Sequence, residues 1–222
     1  MTVFYTSDTH FAHAMVAGLR GFSSPQEHDQ EVVDRWNAVV RPGDMVWHLG
    51  DVGLGNELGI LNTVTHLNGT INLVAGNHDR CWPGHRDARK RQRAWLEVFA
   101  SVQAFAKTGI EGRTVLLSHL PYEGAGDHTD EERYPQFRLP DLGGWLIHGH
   151  THSRFRLDGP QSVHVGLDAW GLRPVPESEV AALIREAEAS RAAEEARLAA
   201  ENPLRHGCYS VSVTAAGDGE TG

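Results

Sequence analysis

The chain has 222 residues, of which 40% are hydrophobic and 22% charged, a composition that fits a globular protein able to bury a core. Its formal net charge of −9 is the opposite of what proteins that coat duplex nucleic acid carry, although it does not exclude a nucleotide as substrate. The first residues, MTVFYTSDTH, lack the features of a signal peptide, and no apolar run reaches the ~18 residues of a membrane span. Two cysteines occur without forming a CxxC pair, so we expect a reducing, cytoplasmic setting and no membrane.

Short apolar segments rich in β-branched residues recur along the chain and are typical of strands. Most of them end in Asp, Asn or His. They cover residues 3–8, 45–51, 71–79, 114–119, 145–152 and 162–168. Helical patterns lie between several of these segments, so the sequence indicates an α/β domain. Polar residues at the carboxyl ends of strands are typical of a site along one rim of a sheet.

Three stretches between the strand-like segments have helical patterns. Ser24, Pro25 and Glu27 form a start signal, with Ser at the N-cap, Pro at the first helical position and Glu completing a capping box. The helix that begins there is predicted to bury Val32, Val33, Trp36 and Val39. The other two candidates cover residues 57–67 and 88–101.

The composition changes after residue 176. Ala, Glu and Arg dominate residues 177–201, which predicts a helix with an apolar face only in its first part, where that face consists of Val180, Leu183, Ile184 and Ala187. We expect its polar second part to project from the body or to meet a partner. The tail, residues 202–222, is expected to be partly disordered, with one strand-like segment at 208–215. The predicted organisation is therefore a domain over residues 1–176, a helix over 177–201 and a tail.

Several of the strand-like segments end in residues suited to metal binding. Asp8 and His10 stand two positions apart, so their side chains point to the same side of an extended backbone, although such a pair alone more often marks a polar strand end. The GNHD sequence at residues 76–79 is far rarer by chance, and its glycine allows a tight turn from which the next two side chains project. The other strand ends of this kind carry Asp51, His119, His150 and His152.

The order of these motifs, DxH, GD, GNHD, H and GHTH, each at the end of a strand-like segment, resembles that of the calcineurin-like metallophosphoesterase superfamily. The resemblance covers about residues 3–176. The neighbouring sequences SDTHFAH, VWHLGD and GLRPV are similar to those of small, single-domain bacterial and phage phosphoesterases. The resemblance implies a four-layer α/β/β/α sandwich with a di-metal site at the carboxyl-terminal rim of its two sheets.

The resemblance also implies roles for individual residues. The first metal ion would be held by Asp8, His10 and His152, the second by Asn77, His119 and His150, and Asp51 would bridge both. His78 would contact the phosphate or protonate the leaving oxygen, with Asp8 as its partner. His150 and His152 thus serve different ions, because we expect the turn after Gly149 to break the strand alternation.

Elementary chemistry agrees with these roles. Two divalent ions about 3.5–4 Å apart can clamp a phosphate and activate a water molecule as the nucleophile. Nitrogen and oxygen donors without thiolate favour Mn, Fe, Zn, Co or Ni, and we expect Mn²⁺. Imidazole is a suitable acid for the departing oxygen.

Further residues near the motifs have two interpretations each. The candidate substrate-binding residues are Asn77, His78, His13 and Arg80. His13 either reaches the substrate or starts a helix, and Arg80 either meets a phosphate oxygen or forms a surface salt bridge. His48 and His148 are expected to pack behind the ligands, and Trp82, Trp145 and Trp170 to pack rather than to stack on bases. The long polar segment 122–140 is expected to shape substrate access.

The sequence therefore predicts a dinuclear metal-dependent phosphoesterase for a small phosphate ester or nucleotide. A phosphodiesterase for cyclic nucleotides such as 2′,3′-cyclic nucleotides, with phosphomonoesterase activity on generic substrates, is the first interpretation. A dinucleoside polyphosphate or nucleotide pyrophosphohydrolase is the alternative and needs basic side chains, for which Arg20, Arg80 and Arg138 are the candidates. A non-catalytic scaffold is disfavoured because no ligand position is missing. The oligomeric state stays open.

Overall fold

The computed structural model describes residues 1–124, 126, 129 and 131–201. Within these residues the fold is mixed α/β, with two sheets and five α-helices. The strands are β1 (Val3–Thr6), β2 (Met45–His48), β3 (Thr70–Val74), β4 (Ser101–Gln103), β5 (Ala106–Ile110), β6 (Arg113–Leu117), β7 (Trp145–His148), β8 (Ser162–His164) and β9 (Val175–Pro176). The helices are α1 (Ala14–Leu19), α2 (Pro25–Val39), α3 (Glu57–Val64), α4 (Ala88–Trp95) and α5 (Glu177–Glu201). The predicted tail, with its strand-like segment, lies outside the described residues.

The strands form a five-stranded sheet in the order β4-β3-β2-β1-β9 and a four-stranded sheet in the order β5-β6-β7-β8. In the first sheet β1 to β4 are parallel and β9 is antiparallel to β1. In the second sheet β6, β7 and β8 are parallel, and β5 is antiparallel to β6. The carboxyl ends of the parallel strands therefore share one edge in each sheet, and the motif residues follow those ends.

Two apolar clusters hold the elements together. Successive side chains of a strand point to opposite faces, and β1 shows this directly, because Phe4 belongs to one cluster and Tyr5 to the other. The first cluster contains Trp36 of α2 and residues of α3 and α4. The second joins side chains of both sheets to α5, including Ile147 and Ile184. Burial on both faces explains why the central strands read as continuous apolar runs.

Helix α2 begins as the sequence predicts. The Ser24 side chain accepts a hydrogen bond from the Glu27 N–H at 3.2 Å, while the Glu27 carboxylate accepts from Ser23 N at 3.0 Å, one residue before the N-cap. Of the side chains predicted on its inner face, two are fully buried, Val32 and Trp36, and two are partly buried, Val33 and Val39.

Other elements differ from the sequence prediction at their ends. Helices α3 and α4 end at Val64 and Trp95, earlier than predicted. The chain turns after α4 because residues 101–103 pair with β3 as an edge strand. Strand β5 has no apolar run in its sequence, AKTGI, since it lies at a sheet edge where alternate side chains are exposed.

Helix α5 covers the predicted range. Val180 and Ile184 are buried, and Leu183 and Ala187 pack partly buried against the second cluster. A compact unit extends from Met1 to Ala187 and contains both sheets. Residues 188–201, in the next unit, are mostly exposed. Among the described residues, no helix combines the length and the hydropathy that a membrane span requires.

Candidate metal centre

The predicted ligands lie just beyond the ends of strands in both sheets. Asp8 and His10 follow β1, Asp51 follows β2, Asn77 follows β3, His119 follows β6, and His150 and His152 follow β7. Six of the seven residues are buried, and His152 is nearly so, with 8% of its side chain exposed. Burying this many polar side chains at one place is unfavourable unless they are paired or bind an ion.

The backbone at these positions departs from strand geometry. Five of the predicted ligands have positive φ angles, Asp8 (59°), His10 (49°), Asp51 (55°), His150 (70°) and His152 (50°). This left-handed region is uncommon for residues other than glycine and costs on the order of 1–3 kcal/mol each, so it persists only where surrounding contacts enforce it. These angles break the strand alternation of the GHTH segment, and its two histidines, His150 and His152, belong to different groups of candidate ligands.

Asp8, His10 and His152 form the first group, with one ligand atom of each lying within 4.8 Å of the others. The Nε2 atoms of His10 and His152 are 3.1 Å apart, and His10 Nε2 lies 3.8 Å from Asp8 Oδ1. His152 Nδ1 lies 3.2 Å from Asp168 Oδ2, and since a carboxylate only accepts, Nδ1 carries the hydrogen. The Nε2 lone pair of His152 therefore faces His10, across a space suited to a cation.

Asp51, His119 and His150 form the second group, again with ligand atoms within 4.8 Å of one another. His119 Nδ1 donates to the Leu49 carbonyl at 2.7 Å, so its Nε2 is turned towards Asn77 Oδ1 at 3.0 Å and Asp51 Oδ2 at 3.4 Å. Burial lowers the pKa of His119, but the neighbouring Asp51 carboxylate outweighs burial and raises that pKa to about 9. The position thus attracts positive charge.

The Asp51 carboxylate faces both groups. Its Oδ1 accepts a hydrogen bond from the His78 N–H at 2.9 Å, which fixes the orientation of the carboxylate. Its Oδ2 lies 3.8 Å from His10 Nε2 and 3.4 Å from His119 Nε2. Burial raises the pKa of Asp51, but the surrounding imidazoles outweigh burial and hold the pKa well below its usual range. The carboxylate is therefore ionised, and its Oδ2 lies between a histidine of each group.

The donor chemistry fits two divalent metal ions. Each group offers carboxylate oxygen and imidazole nitrogen, and Asn77 adds an amide oxygen 3.0 Å from His119 in the second. Two imidazole Nδ1 atoms are tied to acceptors, Leu49 O and Asp168 Oδ2, which turns the opposite nitrogens towards the other donors of their groups, the usual arrangement of metal-ligating histidines. Nothing in this donor set selects one transition metal over another.

Asp79 joins the GD and GNHD turns. It is fully buried; its Oδ2 accepts from the N–H groups of Asp51 (3.0 Å) and Gly76 (2.8 Å), and its Oδ1 accepts from Val52 N (2.9 Å). A Cβ on Gly76 would collide with the Asp51 carboxylate and backbone, so only glycine fits there. Asp79 thus caps the GNHD turn and also binds the backbone of the GD turn.

His78 and His13 lie at the open side of the first group. The His78 side chain is 21% exposed, and its Nε2 lies 3.9 Å from Asp51 Oδ2. The His13 ring is 6.1 Å from that of His78 and 5.2 Å from that of His10. The helix-start interpretation of His13 is confirmed, since its Nδ1 accepts from Val16 N at the start of α1, at 3.4 Å, and its contact with substrate stays a prediction. The Asp8 carboxylate accepts from His150 N at 3.2 and 3.1 Å.

His48 and His148 are buried outside the two metal-binding groups. His48 Nδ1 accepts from Gly50 N at 3.2 Å, so its Nε2 donates to the Thr9 hydroxyl at 2.9 Å and links the DxH and GD turns. His148 Nδ1 lies 2.9 Å from the Gly149 carbonyl, and its ring packs against that of His164. These contacts support ligand-bearing turns rather than a metal ion.

Two of the three arginines that a polyphosphate substrate would need are engaged within the protein. The Arg20 side chain is 4% exposed and pairs with Asp168 at 2.8 Å. Arg138, also 4% exposed, donates to the carbonyls of Pro121 (2.8 Å) and Gly124 (2.7 Å). Arg80 is exposed and lines a cavity of about 330 Å³. That cavity adjoins the site, since its walls include Asn77, His78, Leu54, Ile60 and Trp95.

The described part of segment 122–140 packs beside the second group. Tyr134 and Phe137 lie against Trp82, with ring centroids 5.0 and 4.6 Å apart, and the Tyr134 ring is 6.4 Å from that of His150. A Cβ on Gly126 would lie 2.5 Å from the His150 ring. Trp82 thus packs rather than stands free, as Trp145 and Trp170 also do.

The functional neighbourhood includes two residues that the sequence did not connect with the ligands, Asp168 and Arg20, the latter being only a candidate contact for a polyphosphate. Asp168 orients His152, and Arg20 holds Asp168. A signal was present for Asp168, because it closes the strand-like segment 162–168 just as the ligands close theirs. For Arg20 the sequence offered none, since its partner is 148 residues away.

Comparison with known proteins places this chain among relatives of the same kind. Residues 1–166 match the calcineurin-like phosphoesterase superfamily domain. The gene 66 protein of Mycobacterium phage D29 is 40% identical over 84% of this chain and 97% of its own length, and that of phage L5 is 39% identical over 81% and 92%. The solved structure of a protein of unknown function from Aquifex aeolicus shares the fold, with a TM-score of 0.62 over 82% of this chain and 99% of that one at 24% identity.

Proposed function

Because the chain belongs to the calcineurin-like phosphoesterase superfamily, we propose that it is a metal-dependent phosphohydrolase for small phosphate esters. Within that class we propose a phosphodiesterase for cyclic nucleotides, 2′,3′-cyclic nucleotides in particular, which also hydrolyses generic phosphomonoesters. The observation that carries the proposal is the Asp51 carboxylate, whose Oδ2 faces His10 at 3.8 Å and His119 at 3.4 Å. A carboxylate between two sets of donors suits a pair of metal ions.

The proposed metal ligands divide between the two groups. Asp8, His10 and His152 hold one ion, Asn77, His119 and His150 hold the other, and Asp51 contributes to both. In the proposed architecture this centre lies at the rim of a four-layer α/β/β/α sandwich. When bound, two divalent ions, Mn²⁺ being our first candidate, supply a hydroxide nucleophile near neutral pH and stabilise the charge that develops on the phosphate.

His78 is the proposed general acid. Its side chain is partly exposed beside the centre, its backbone is fixed by Asp51, and it also lines the cavity of about 330 Å³. A proton on its imidazole can pass to the departing ester oxygen of a substrate whose organic group lies in that cavity. The partnership between His78 and Asp8 that the family resemblance implies remains part of this proposal, as do substrate contacts from Asn77 and His13.

The cavity beside His78 supports an ester with an organic group of some size. Leu54, Ile60 and Trp95 give it apolar walls, and Arg80 and Glu57 line it with one positive and one negative side chain. This mixture suits a nucleoside better than a bare phosphate. The pyrophosphohydrolase alternative is less well supported, because Arg20 and Arg138 are committed to internal partners and leave Arg80 alone to meet a polyphosphate.

The test is metal-dependent hydrolysis by the purified full chain. After treatment with chelator the protein should hydrolyse neither bis(p-nitrophenyl) phosphate nor 2′,3′-cyclic AMP, and added Mn²⁺ should restore both activities. Diadenosine tetraphosphate and 3′,5′-cyclic AMP, assayed in parallel, discriminate the alternatives. Turnover of the polyphosphate alone would favour the pyrophosphohydrolase, and absence of hydrolysis of every ester with metal present would refute the enzymatic proposal.

A further inference from the structure

Arg20 is a nearly buried cation that contacts the backbone of the DxH turn. At the C-cap of α1, its Nη2 donates to the Asp8 carbonyl at 2.8 Å and its Nη1 to the Thr9 carbonyl at 3.3 Å. These two carbonyls flank the segment in which Asp8 and His10 both have left-handed backbone. A guanidinium at this place satisfies carbonyls that a left-handed turn directs away from any strand partner.

The same guanidinium binds the carboxylate that orients His152. Arg20 and Asp168 form a bidentate pair, with Nε–Oδ1 at 2.9 Å and Nη2–Oδ2 at 2.8 Å, and Asp168 Oδ2 also accepts from His152 Nδ1 at 3.2 Å. Bidentate geometry fixes the plane of the carboxylate as well as its position. One side chain thus connects the first turn of the chain to the ligand that follows β7.

A second path secures the far end of the DxH turn. Arg20 Nη1 donates to His28 Nε2 at 3.0 Å, so the His28 hydrogen is on Nδ1 and is donated to Asp29 Oδ1 at 2.9 Å. Asp29 Oδ2 accepts from the N–H of Ala12 at 2.9 Å, and Ala12 also has a positive φ, 60°. The network therefore binds the backbone of the turn at Asp8, Thr9 and Ala12, the segment that contains the three residues with left-handed backbone.

We propose that Arg20 and Asp168 are positioning residues for the group formed by Asp8, His10 and His152, and that they set its metal affinity without setting that of the second group. This inference rests on the proposed metal centre. Asp168 fixes the hydrogen of His152 on Nδ1 and increases the basicity of Nε2, and Arg20 holds both that carboxylate and the turn. Two members of the second group have supports outside this network, since Leu49 orients His119 and Asp79 anchors the Asp51 turn.

The inference predicts a selective loss of one ion. The metal-free full chain is titrated with Mn²⁺, and the EPR signal of free Mn²⁺ counts the ions bound. Wild type should bind two, whereas Asp168→Asn and Arg20→Gly should retain one tight ion and weaken the other by roughly 10–100-fold, the usual cost of losing an orienting partner. Arg35→Met is the matched control, because Arg35 is 46% exposed on the side chain and donates to the carbonyl of Gly171 near Asp168.

A chemical rescue separates positioning from general damage. Methylguanidinium added to Arg20→Gly should restore tight binding of the ion held by the first group, because it can span the Asp168 carboxylate and the turn carbonyls, and methylammonium should not. Equal weakening of the binding of both ions, no weakening, or rescue by both methylguanidinium and methylammonium would overturn the inference. If wild type binds two ions but hydrolyses no ester, the proposed activity is refuted and the inference stands. If wild type hydrolyses esters but the variants lose affinity for both ions equally, the inference is refuted and the proposed activity stands.

Discussion

Both carboxylate oxygens of Asp51 lie close to His78. Oδ1 accepts a hydrogen bond from the His78 N–H at 2.9 Å, and Oδ2 lies 3.9 Å from Nε2 of the same residue. The GD and GNHD turns are thereby fixed to each other, and Asp79 adds three more hydrogen bonds between and within them. The candidate bridging ligand and the candidate acid thus share one rigid support.

Replacing Asp51 should eliminate catalysis through the metal ions. Asp51→Asn keeps an oxygen for the His78 N–H but loses the charge that faces both groups. We expect Mn²⁺-dependent diesterase activity to fall by more than about 100-fold, beyond the typical cost of losing a residue that only orients a ligand. Asp34→Asn on the exposed face of α2 is the control and should retain wild-type activity. Retention of activity by Asp51→Asn would refute the bridging role.

Replacing His78 should affect substrates according to their leaving groups. His78→Ala removes a partly exposed imidazole but no proposed ligand, so Mn²⁺ binding should persist. Hydrolysis of 2′,3′-cyclic AMP, which has a poor leaving group, should fall by roughly 10²–10⁴-fold, and that of p-nitrophenyl esters far less. His66→Ala provides the control, because the exposed His66 ring is remote from the proposed ligands and its Nδ1 donates to the carbonyl of Asn62 within the same helical turn. An equal loss for both substrates would argue against an acid role.

The convergence of the ligand candidates could be predicted from sequence because each follows a strand, and parallel strands place their carboxyl ends at one edge. Which of these residues face one another at the edge could not be predicted from the strand pattern. The family resemblance implied that His150 and His152 serve different ions, but the strand pattern alone does not predict the backbone φ angles of 70° and 50° that separate them. The pairing of Arg20 with Asp168 joins residues 148 positions apart, and sequence periodicity does not predict such a contact.

The fold shows the same division between local and long-range information. Ser24 and Pro25 signal the start of α2 locally, and the structure agrees. Strand β5 was missed because Lys107 and Gly109 interrupt any apolar pattern, and it is a strand only through its pairing with β6. Edge strands are stabilised by their neighbour more than by their own residues, so sequence patterns underestimate them.

Asp44 should make the stability of the protein depend on acidic pH. Its carboxylate accepts from Thr2 N at 2.8 Å and Arg41 N at 3.0 Å, and these N–H groups lower its pKa below the ordinary value. A group whose pKa is lower in the folded state stabilises that state above the unfolded pKa, and the contribution disappears as pH falls towards the folded pKa. The free energies of urea unfolding of wild type and Asp44→Asn should therefore differ near neutral pH and converge as pH falls through the ordinary Asp pKa towards the lower folded-state pKa. A pH-independent difference would contradict this.

Adding one methyl group at Gly76 should disable the centre although no ligand is replaced. The Cβ of Gly76→Ala would collide with the Asp51 carboxylate and backbone, so the GD and GNHD turns must separate. We expect a loss of about 1–3 kcal/mol in the free energy of unfolding, together with loss of Mn²⁺ binding. Gly18→Ala is the matched control, since nothing lies within 4 Å of the new Cβ on α1, and it should stabilise the protein by roughly 0.5–1 kcal/mol. Normal Mn²⁺ binding by Gly76→Ala would mean that the contact between the two turns does not position Asp51.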